Sequence, residues 1–212
     1  MDLSKPLATV TPTLDAVVLQ VLAATTAWCS AAEVHRRVLR EFGRGSDEGV
    51  RKVLDRLAHQ GIVTAESCGR SSLYRLNRDH IAFPAIELLT QARQTLFDRV
   101  ATTVEGWDVA PRHVSWFGSF ARGEARSDSD IDVLVIRPVG LAGPAEMEWH
   151  SQLAELESSL NAWTGNPVQI VDPTPETVRH MQRTQDPLFL SWVAEEVPIS
   201  GERLLEALRG VA

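Results

Sequence analysis

The segment "WFGSFARGEARSDSDIDVLV", from Trp116 to Val135, decides how this sequence is interpreted. A hydrophobic run ends in Gly118-Ser119, a charged segment follows, and a second hydrophobic run then carries Asp130 and Asp132. Because side chains alternate along a strand, both aspartates emerge from one face of the second run. Two neighbouring carboxylates are costly unless a cation lies between them, and their hard oxygens prefer Mg²⁺ or Mn²⁺. The sequence therefore predicts a divalent-cation site at the start of this strand.

The Gly-Ser pair between the two runs predicts a second feature, an anion site. The run "HVSWFGS" reads as a short strand that ends in Gly118-Ser119, and the following "FARGEA" is compatible with a helix. A strand that turns directly into a helix presents backbone N–H groups at the helix start, here with the Ser119 hydroxyl beside them. We expect these groups to bind phosphate.

Together, these features carry a resemblance to a known family. In "GSFARGEARSDSDID", Ser119 is followed by ten residues and then by Asp-x-Asp. This pattern resembles the signature of the minimal nucleotidyltransferases of the DNA polymerase β superfamily, and the resemblance covers roughly Trp107 to Ala212. It implies a mixed sheet flanked by helices, and transfer of a nucleoside monophosphate from an NTP to a hydroxyl on a protein, an RNA or a small molecule. By the same analogy, short members of the family act in toxin-antitoxin systems.

The resemblance also implies roles for individual residues. Asp130 and Asp132 would be catalytic and would coordinate divalent metal, Mg²⁺ or Mn²⁺, while Gly118 and Ser119 hold the NTP phosphates. Ser129 would steady the loop. For Arg122 two interpretations stay open: it adds positive charge near the triphosphate, or it pairs with a nearby carboxylate such as Glu124 or Asp128.

The family pattern departs from this sequence at the third carboxylate. Relatives place an Asp on a later strand, and in "NPVQIVDP" the expected position is Gln169. Gln cannot accept a proton at neutral pH and is a poorer Mg²⁺ ligand than a carboxylate. Asp172 is the other candidate: strand alternation places it on the face opposite Gln169, unless a bulge or the turn at Pro173 brings it round. An alternative function follows: a DNA-binding transcriptional regulator whose nucleotidyltransferase-like domain binds nucleotide without efficient catalysis.

The first eighty residues have a different organisation. Helical spacing and caps predict three helices, namely Thr13 to Ala24, Ser30 to Gly43 and Ser46 to Val63. Two short strands around "CGRS" then predict a β-hairpin. Three helices and a hairpin resemble a winged helix-turn-helix domain, in which the third helix enters the DNA major groove and the wing touches the backbone.

That second resemblance implies a partner, duplex DNA, and a homodimer where the site is palindromic. The residues implied to contact DNA lie at the start of the third helix and on the wing: Ser46, Glu48, Arg51, Lys52 and Arg70. A winged helix used for dimerisation or for binding a protein is the other interpretation.

Composition bounds the class of protein. Of 212 residues, 44% are hydrophobic and 23% charged, which is typical of a globular chain, and two cysteines indicate neither a disulfide framework nor a zinc site. No apolar run approaches membrane-spanning length and the N-terminus lacks signal-peptide features, so we expect a cytoplasmic protein. Residues 1–80 hold 11 Lys and Arg against 9 Asp and Glu, whereas residues 81–212 hold 10 against 19. The two parts therefore face different partners.

The expected architecture is an α/β (α+β) chain with two domains. Residues 1–82 form the winged helix-turn-helix domain, 83–106 a connecting helix, and 107–212 the polymerase-β-like nucleotidyltransferase domain. The connecting segment has no linker composition and predicts one amphipathic helix from Ile86 to about Val104.

Overall fold

The computed structural model describes residues 1–69, 71–125, 128–200 and 203–209. The chain divides into two compact units, Lys5–Ala92 and a second unit made of Met1–Ser4 with the residues from Arg93 onward. Each unit has its own sheet, and helices surround both sheets. The expected mixed α/β class is confirmed. None of the helices in the described ranges combines the length and the apolar content that crossing a membrane requires.

The first unit contains the three predicted helices and the hairpin, although the third helix ends at His59 and Val63, its predicted end, begins a strand. In chain order its elements are α1 (Pro6–Val10), α2 (Leu14–Ala23), β1 (Cys29–Ser30), α3 (Ala31–Phe42), α4 (Asp47–His59), β2 (Val63–Cys68), β3 (Ser71–Leu76) and α5 (Phe83–Thr90). The predicted caps are present: the Ser30 and Ser46 hydroxyls accept hydrogen bonds from the third backbone N–H after each, and Gly43 ends α3 at φ +63°. The apolar faces of α2, α3 and α4 pack together with the sheet.

The segment between the domains differs from its prediction. In place of one helix from Ile86 to about Val104, the structure has α5 and then α6 (Ala92–Glu105), and the boundary between units lies after Ala92. The reason lies in the two cores. Ile86 packs in the core of the first unit, whereas Leu96, Val100 and Val104 of α6 pack in a core of the second unit. Each helix therefore belongs to a different core.

The second unit is built on a four-stranded mixed sheet in the order β6-β5-β4-β7. Its remaining elements are β4 (His113–Phe117), α7 (Gly118–Ala121), β5 (Ile131–Ile136), α8 (Pro144–Thr164), β6 (Val168–Val171), α9 (Pro175–Thr184), α10 (Pro187–Glu195), β7 (Val197–Ser200) and α11 (Leu204–Arg209). β4 runs antiparallel to both β5 and β7, and β5 runs parallel to β6. The end of β4 and the starts of the other three strands therefore lie at one edge of the sheet.

Helices cover both faces of this sheet. On one face, Ile131, Val133 and Val135 pack with residues of α6 and α8. On the other face, Leu134 and Ile136 pack with residues of α9, α10 and α11. Because β5 alternates, Asp132 lies on the same face as Leu134 and Ile136.

Strand β7 was not predicted. The sequence of the tail indicates helices broken at Pro187 and Pro198, and the structure instead places Pro198 inside β7, which pairs with β4. Proline lacks a backbone N–H donor and is tolerated in sheets on edge strands. β7 is an edge strand, so the proline is compatible with it.

Candidate functional site

The end of β4 places Gly118 directly against Asp132. Gly118 has φ +68°, a conformation that favours glycine, and it begins the short helix α7. A Cβ atom built on Gly118 would lie 2.3 Å from Asp132 Oδ2. Phe117, the residue before Gly118, is the register partner of Asp132 on β5. The Asp132 carboxylate can therefore keep this position only because residue 118 has no side chain.

The two aspartates lie at the start of β5 and differ in environment. Asp130 is exposed and precedes the strand, whereas Asp132 is half-buried within it. Burial raises the pKa of Asp132 above its usual range, and the negative charges of Asp130 and Glu195 raise it further, while Arg122 opposes the shift. The ionised pair is thus electrostatically unfavourable, as expected of carboxylates placed to hold a cation.

We predict that Asp132→Asn stabilises the ligand-free protein at pH 7. A carboxyl group whose pKa is higher in the folded than in the unfolded state stabilises the fold only when protonated, so this contribution is lost as pH rises through the folded-state pKa. The melting temperature of Asp132→Asn should therefore exceed that of wild type at pH 7, and the difference should shrink below the unfolded pKa near 4. Differential scanning calorimetry without divalent cations from pH 7 to 3.5 measures it. A variant that melts below wild type at pH 7 would contradict the prediction.

Arg122, at the C-terminal cap of α7, bridges two carboxylates. Its Nε donates to Glu124 Oε2 at 2.8 Å, and its Nη1 donates to Glu195 Oε2 at 2.6 Å. The hydrogen bond to Glu124 raises the pKa of Arg122, with Glu195 contributing. Of the two interpretations left open by the sequence, pairing with Glu124 is present, and Glu195 is a partner that the sequence does not indicate.

Ser129 lies in the loop before β5, and a buried asparagine holds that loop. Asn166 Nδ2 donates to the Ser129 carbonyl at 3.0 Å, and Asn166 Oδ1 accepts from the amino group of Met1 at 2.6 Å. Asn166 is 2% exposed and follows Gly165, the αL cap that ends α8. The sequence does not indicate this role of Asn166, because its hydrogen bonds to Ser129 and Met1 join residues far apart in the chain.

Gln169 and Asp172 lie on opposite faces of β6. Gln169 is exposed and is the register partner of Asp132 on the parallel strand β5. The Asp172 carboxylate accepts hydrogen bonds from Arg137 and from Trp149 Nε1, the latter at 3.0 Å. Trp149 belongs to α8, which packs on the face opposite Asp132. Alternation along β6 therefore turns Asp172 away from the two aspartates of β5.

The oxygen atoms at this sheet edge suit a hard divalent cation. Within the ranges that the structure describes, no three His, Cys, Asp or Glu side chains come together as a metal-binding group. Asp130 and Asp132 supply two carboxylates, and nucleotide phosphates and water commonly complete the shell of Mg²⁺ in such sites. The donor set fits Mg²⁺ or Mn²⁺ bound together with a phosphate.

The residues predicted to contact DNA are placed on α4, and their charges are partly offset. Arg51 Nε lies 2.7 Å from Asp47 Oδ2, and Lys52 Nζ lies 2.6 Å from Glu48 Oε1. Ser46 caps the helix by accepting from the Gly49 N–H. Arg70 lies outside the described residues. The start of α4 therefore carries two exposed ion pairs in place of a bare basic surface.

A second group of cations, which the sequence did not single out, lies on α3. Glu33 and three arginines line a surface depression of about 420 Å³: Arg36, Arg37 and Arg40. Arg37 pairs with Glu33 and Arg40 with Glu41, whereas no described carboxylate lies within ion-pair distance of Arg36. Helix α3 therefore carries a second group of basic residues, separate from those at the start of α4.

Comparison with known proteins finds a family model that matches part of this chain. Residues 107–173 match the family model described as "Nucleotidyltransferase domain". A solved toxin-antitoxin with AMP-PNP is 19% identical, covers 52% of this chain and 77% of that chain, and has a TM-score of 0.36. A mutant MntA-HpeT toxin-antitoxin is 17% identical over 52% and 76% of the two chains, with a TM-score of 0.35. Human N-acetylserotonin methyltransferase in complex with SAM is 18% identical over 49% and 30%, with a TM-score of 0.28.

No curated protein matches this chain in sequence. The matched segment 107–173 contains Gly118, Asp130, Asp132 and Gln169. This part of the chain is therefore similar to a nucleotidyltransferase domain, and the similarity supports nucleotidyl transfer in general.

Proposed function

We propose that the second unit is a metal-dependent nucleotidyltransferase that moves a nucleoside monophosphate from an NTP to a hydroxyl acceptor. The observation that supports the proposal is the close approach of Gly118 to Asp132, because the turn that we propose to bind phosphate then lies beside a proposed metal-binding carboxylate. The family match over residues 107–173 supports the general reaction. The acceptor class is a protein, an RNA or a small molecule.

Each residue of the motif has a role in this proposal. The backbone N–H groups of Gly118 and Ser119 and the hydroxyl of Ser119 bind the NTP phosphates. Asp130 and Asp132 would hold Mg²⁺ or Mn²⁺, and the bound ion would supply positive charge that offsets the charge of the NTP phosphates. Ser129 lies in the loop before β5, and the hydrogen bond from Asn166 to the Ser129 carbonyl holds this loop in place. Asp172 has a structural role, joining Arg137 to Trp149.

The proposal is tested by incubating the purified protein with Mg²⁺ and each of the four NTPs. Intact-protein mass detects self-modification in units of one nucleoside monophosphate, and a pyrophosphate assay detects transfer to added protein, RNA or small-molecule hydroxyls. Asp172→Asn serves as a comparison, assayed well below its own melting temperature. Turnover by wild type and by folded Asp172→Asn supports the proposal. Loss of turnover in folded Asp172→Asn would make Asp172 the third carboxylate.

A second candidate function is a regulator that binds nucleotide without efficient catalysis. The observation that favours it is Gln169, because an amide occupies the strand position beside Asp132 and cannot act as a general base. In this case Gln169→Asp would create turnover in a protein that binds Mg²⁺ and NTP but has no turnover of its own. Turnover by wild type that Gln169→Asp leaves unchanged would exclude this candidate.

For the first unit we propose a winged helix-turn-helix domain that binds duplex DNA through the start of α4. Helices α2, α3 and α4 followed by the β2–β3 hairpin support this interpretation. Asp47 and Glu48 hold Arg51 and Lys52 in ion pairs, and their charges repel phosphates. DNA binding therefore requires Arg51 and Lys52 to leave these carboxylates and pair with DNA phosphates. A homodimer is the form in which such a domain would read a palindromic site.

This proposal predicts that Asp47→Asn/Glu48→Gln tightens binding to duplex DNA. With Arg51 and Lys52 released, we expect affinity to rise about tenfold at 100 mM salt, since each released contact adds close to one unit to the slope of log K against log salt. Fluorescence anisotropy from 50 to 300 mM KCl measures both quantities. The control Asp79→Asn/Glu87→Gln makes the same change in net charge away from α4. Equal effects of the two double variants would indicate a general charge effect and contradict binding through α4.

A further inference from the structure

The edge of the sheet that holds the two aspartates also receives a carboxylate from the C-terminal part of the chain. Val197, the first residue of β7, is the register partner of Trp116 on β4. Since β7 runs antiparallel to β4, the residues that precede Val197 extend past the level of Phe117, toward Gly118. Glu195 lies in this position, as the last residue of α10.

Packing of α10 places Glu195 on the same face of the sheet as Asp132. Trp192, one helical turn before Glu195, is 1% exposed and contacts the ring of Phe117, with 6.1 Å between ring centroids. Phe189 and Trp192 share their core with Leu134, which lies on the Asp132 face of β5. The end of α10 is thus fixed beside the junction of β4 and α7.

Arg122 connects Glu195 to the phosphate-binding turn. The ion pair between Arg122 Nη1 and Glu195 Oε2 measures 2.6 Å, and the Glu195 side chain is only 23% exposed. Glu124, the other partner of Arg122, is 65% exposed. Glu195 ends α10, whose Trp192 contacts Phe117, the register partner of Asp132. Of the two carboxylates on Arg122, Glu195 is therefore the one held beside the aspartate pair.

We propose that Glu195 supplies the third carboxylate of the nucleotidyl-transfer site, from α10, in place of the strand residue Gln169. This inference rests on the proposed function. The acceptor hydroxyl gives its proton to the Glu195 carboxylate while its oxygen forms a bond to the α-phosphorus of the NTP. The bond from the α-phosphorus to the bridging oxygen breaks, and its electron pair leaves with pyrophosphate. Atoms and charge balance without a further reactant.

The ion pair with Arg122 adds a condition to this role. Before nucleotide binds, Arg122 neutralises Glu195 and holds it at the sheet edge. A triphosphate carries several negative charges and competes with Glu195 and Glu124 for the same guanidinium, which forms strong paired hydrogen bonds to phosphate. Nucleotide binding then frees Glu195 to accept a proton. Catalytic competence of Glu195 is therefore coupled to occupancy of the phosphate site.

The test compares Glu195→Gln with Glu124→Gln, because each removes one carboxylate from Arg122 and only the first removes one from the site. Loss of a general base typically lowers the rate by a factor of about 10² to 10⁴. We expect kcat to fall at least about 10²-fold in Glu195→Gln and by less than about threefold in Glu124→Gln. Adding Gln169→Asp to Glu195→Gln returns a carboxylate to the other side of Asp132 and should recover at least about tenfold in kcat. Circular dichroism and melting temperature confirm that each variant is folded.

A second readout does not depend on turnover. Glu195 adds negative charge beside the aspartates, although within the described residues it does not form a three-carboxylate metal group with them. Loss of that charge should weaken the binding of Mn²⁺ in the presence of a non-hydrolysable NTP analogue, followed by electron paramagnetic resonance, by about threefold in Glu195→Gln, and leave it unchanged in Glu124→Gln. Equal effects of the two variants on kcat and on Mn²⁺ binding, with active wild type, would overturn the role of Glu195 and leave the proposed function standing. If wild type binds Mn²⁺ with nucleotide but lacks turnover with every acceptor tested, Glu195 is not a working proton acceptor and the inference is overturned. Wild type that neither turns over nor binds Mn²⁺ with nucleotide would remove the proposed function itself.

Discussion

The double variant Asp130→Asn/Asp132→Asn is expected to lower nucleotidyl transfer at least about 10³-fold. The substitutions keep the size of both side chains and remove both negative charges at the start of β5. A divalent cation then loses its protein carboxylates, and the several kcal/mol that such an ion supplies to transition-state charge is lost. Because each 1.36 kcal/mol corresponds to a factor of ten in rate, a loss of about 4 kcal/mol gives this magnitude.

The measurement is pyrophosphate release at saturating NTP and Mg²⁺, with Asp128→Asn as the matched control. Asp128 is an exposed aspartate of the same loop and lies outside the pair. We expect the control to retain activity within about threefold of wild type. Residual turnover of the double variant above about a tenth of wild type would contradict a metal role for the aspartates. Calorimetry of the same variant separates this result from unfolding, since the variant is expected to be at least as stable as wild type without metal.

The second large effect is expected for Gly118→Ala. Its new methyl group would lie 2.3 Å from Asp132 Oδ2, a distance at which the carboxylate or the backbone must move. In addition, an alanine at φ +68° costs about 1–2 kcal/mol relative to its preferred conformations. We expect a lower melting temperature and, under the proposed function, a loss of at least about 10²-fold in affinity for Mg²⁺ with nucleotide, because the turn at Gly118 and Asp132 are displaced together.

Two further variants isolate the clash from the backbone strain. Gly140→Ala introduces alanine at φ +76° where no atom lies within 4 Å of the new methyl group, so it reports strain alone. Gly118→Ala/Asp132→Ala keeps the strain and removes the carboxylate. The double variant should regain melting temperature relative to Gly118→Ala, although not activity. If Gly118→Ala is no more destabilising than Gly140→Ala, the contact with Asp132 does not limit the site.

Much of the fold follows from local patterns in the sequence. Ser30 and Ser46 predict two helix starts, and Gly43 predicts a helix end, because capping depends on residues within one turn. The prediction of a single helix in residues 83–106, where the structure has α5 and α6, shows the limit of such patterns. A continuous amphipathic run does not specify which of two cores each half will join, and the division after Ala92 depends on that choice.

The candidate site shows the same division between local and long-range information. The motif from Gly118 to Asp132 and the shared face of the two aspartates follow from the sequence alone, because strand alternation is a local property. The contact of Glu195 with Arg122, 73 residues earlier, and the hydrogen bonds that hold Asp172 to Arg137 and Trp149 depend on the tertiary structure. Those contacts arise from the pairing of β7 with β4 and from the packing of helices on the sheet, which join residues far apart in the chain. Such contacts leave no periodic signal in the sequence, since they depend on where whole elements pack and not on the spacing of neighbouring residues.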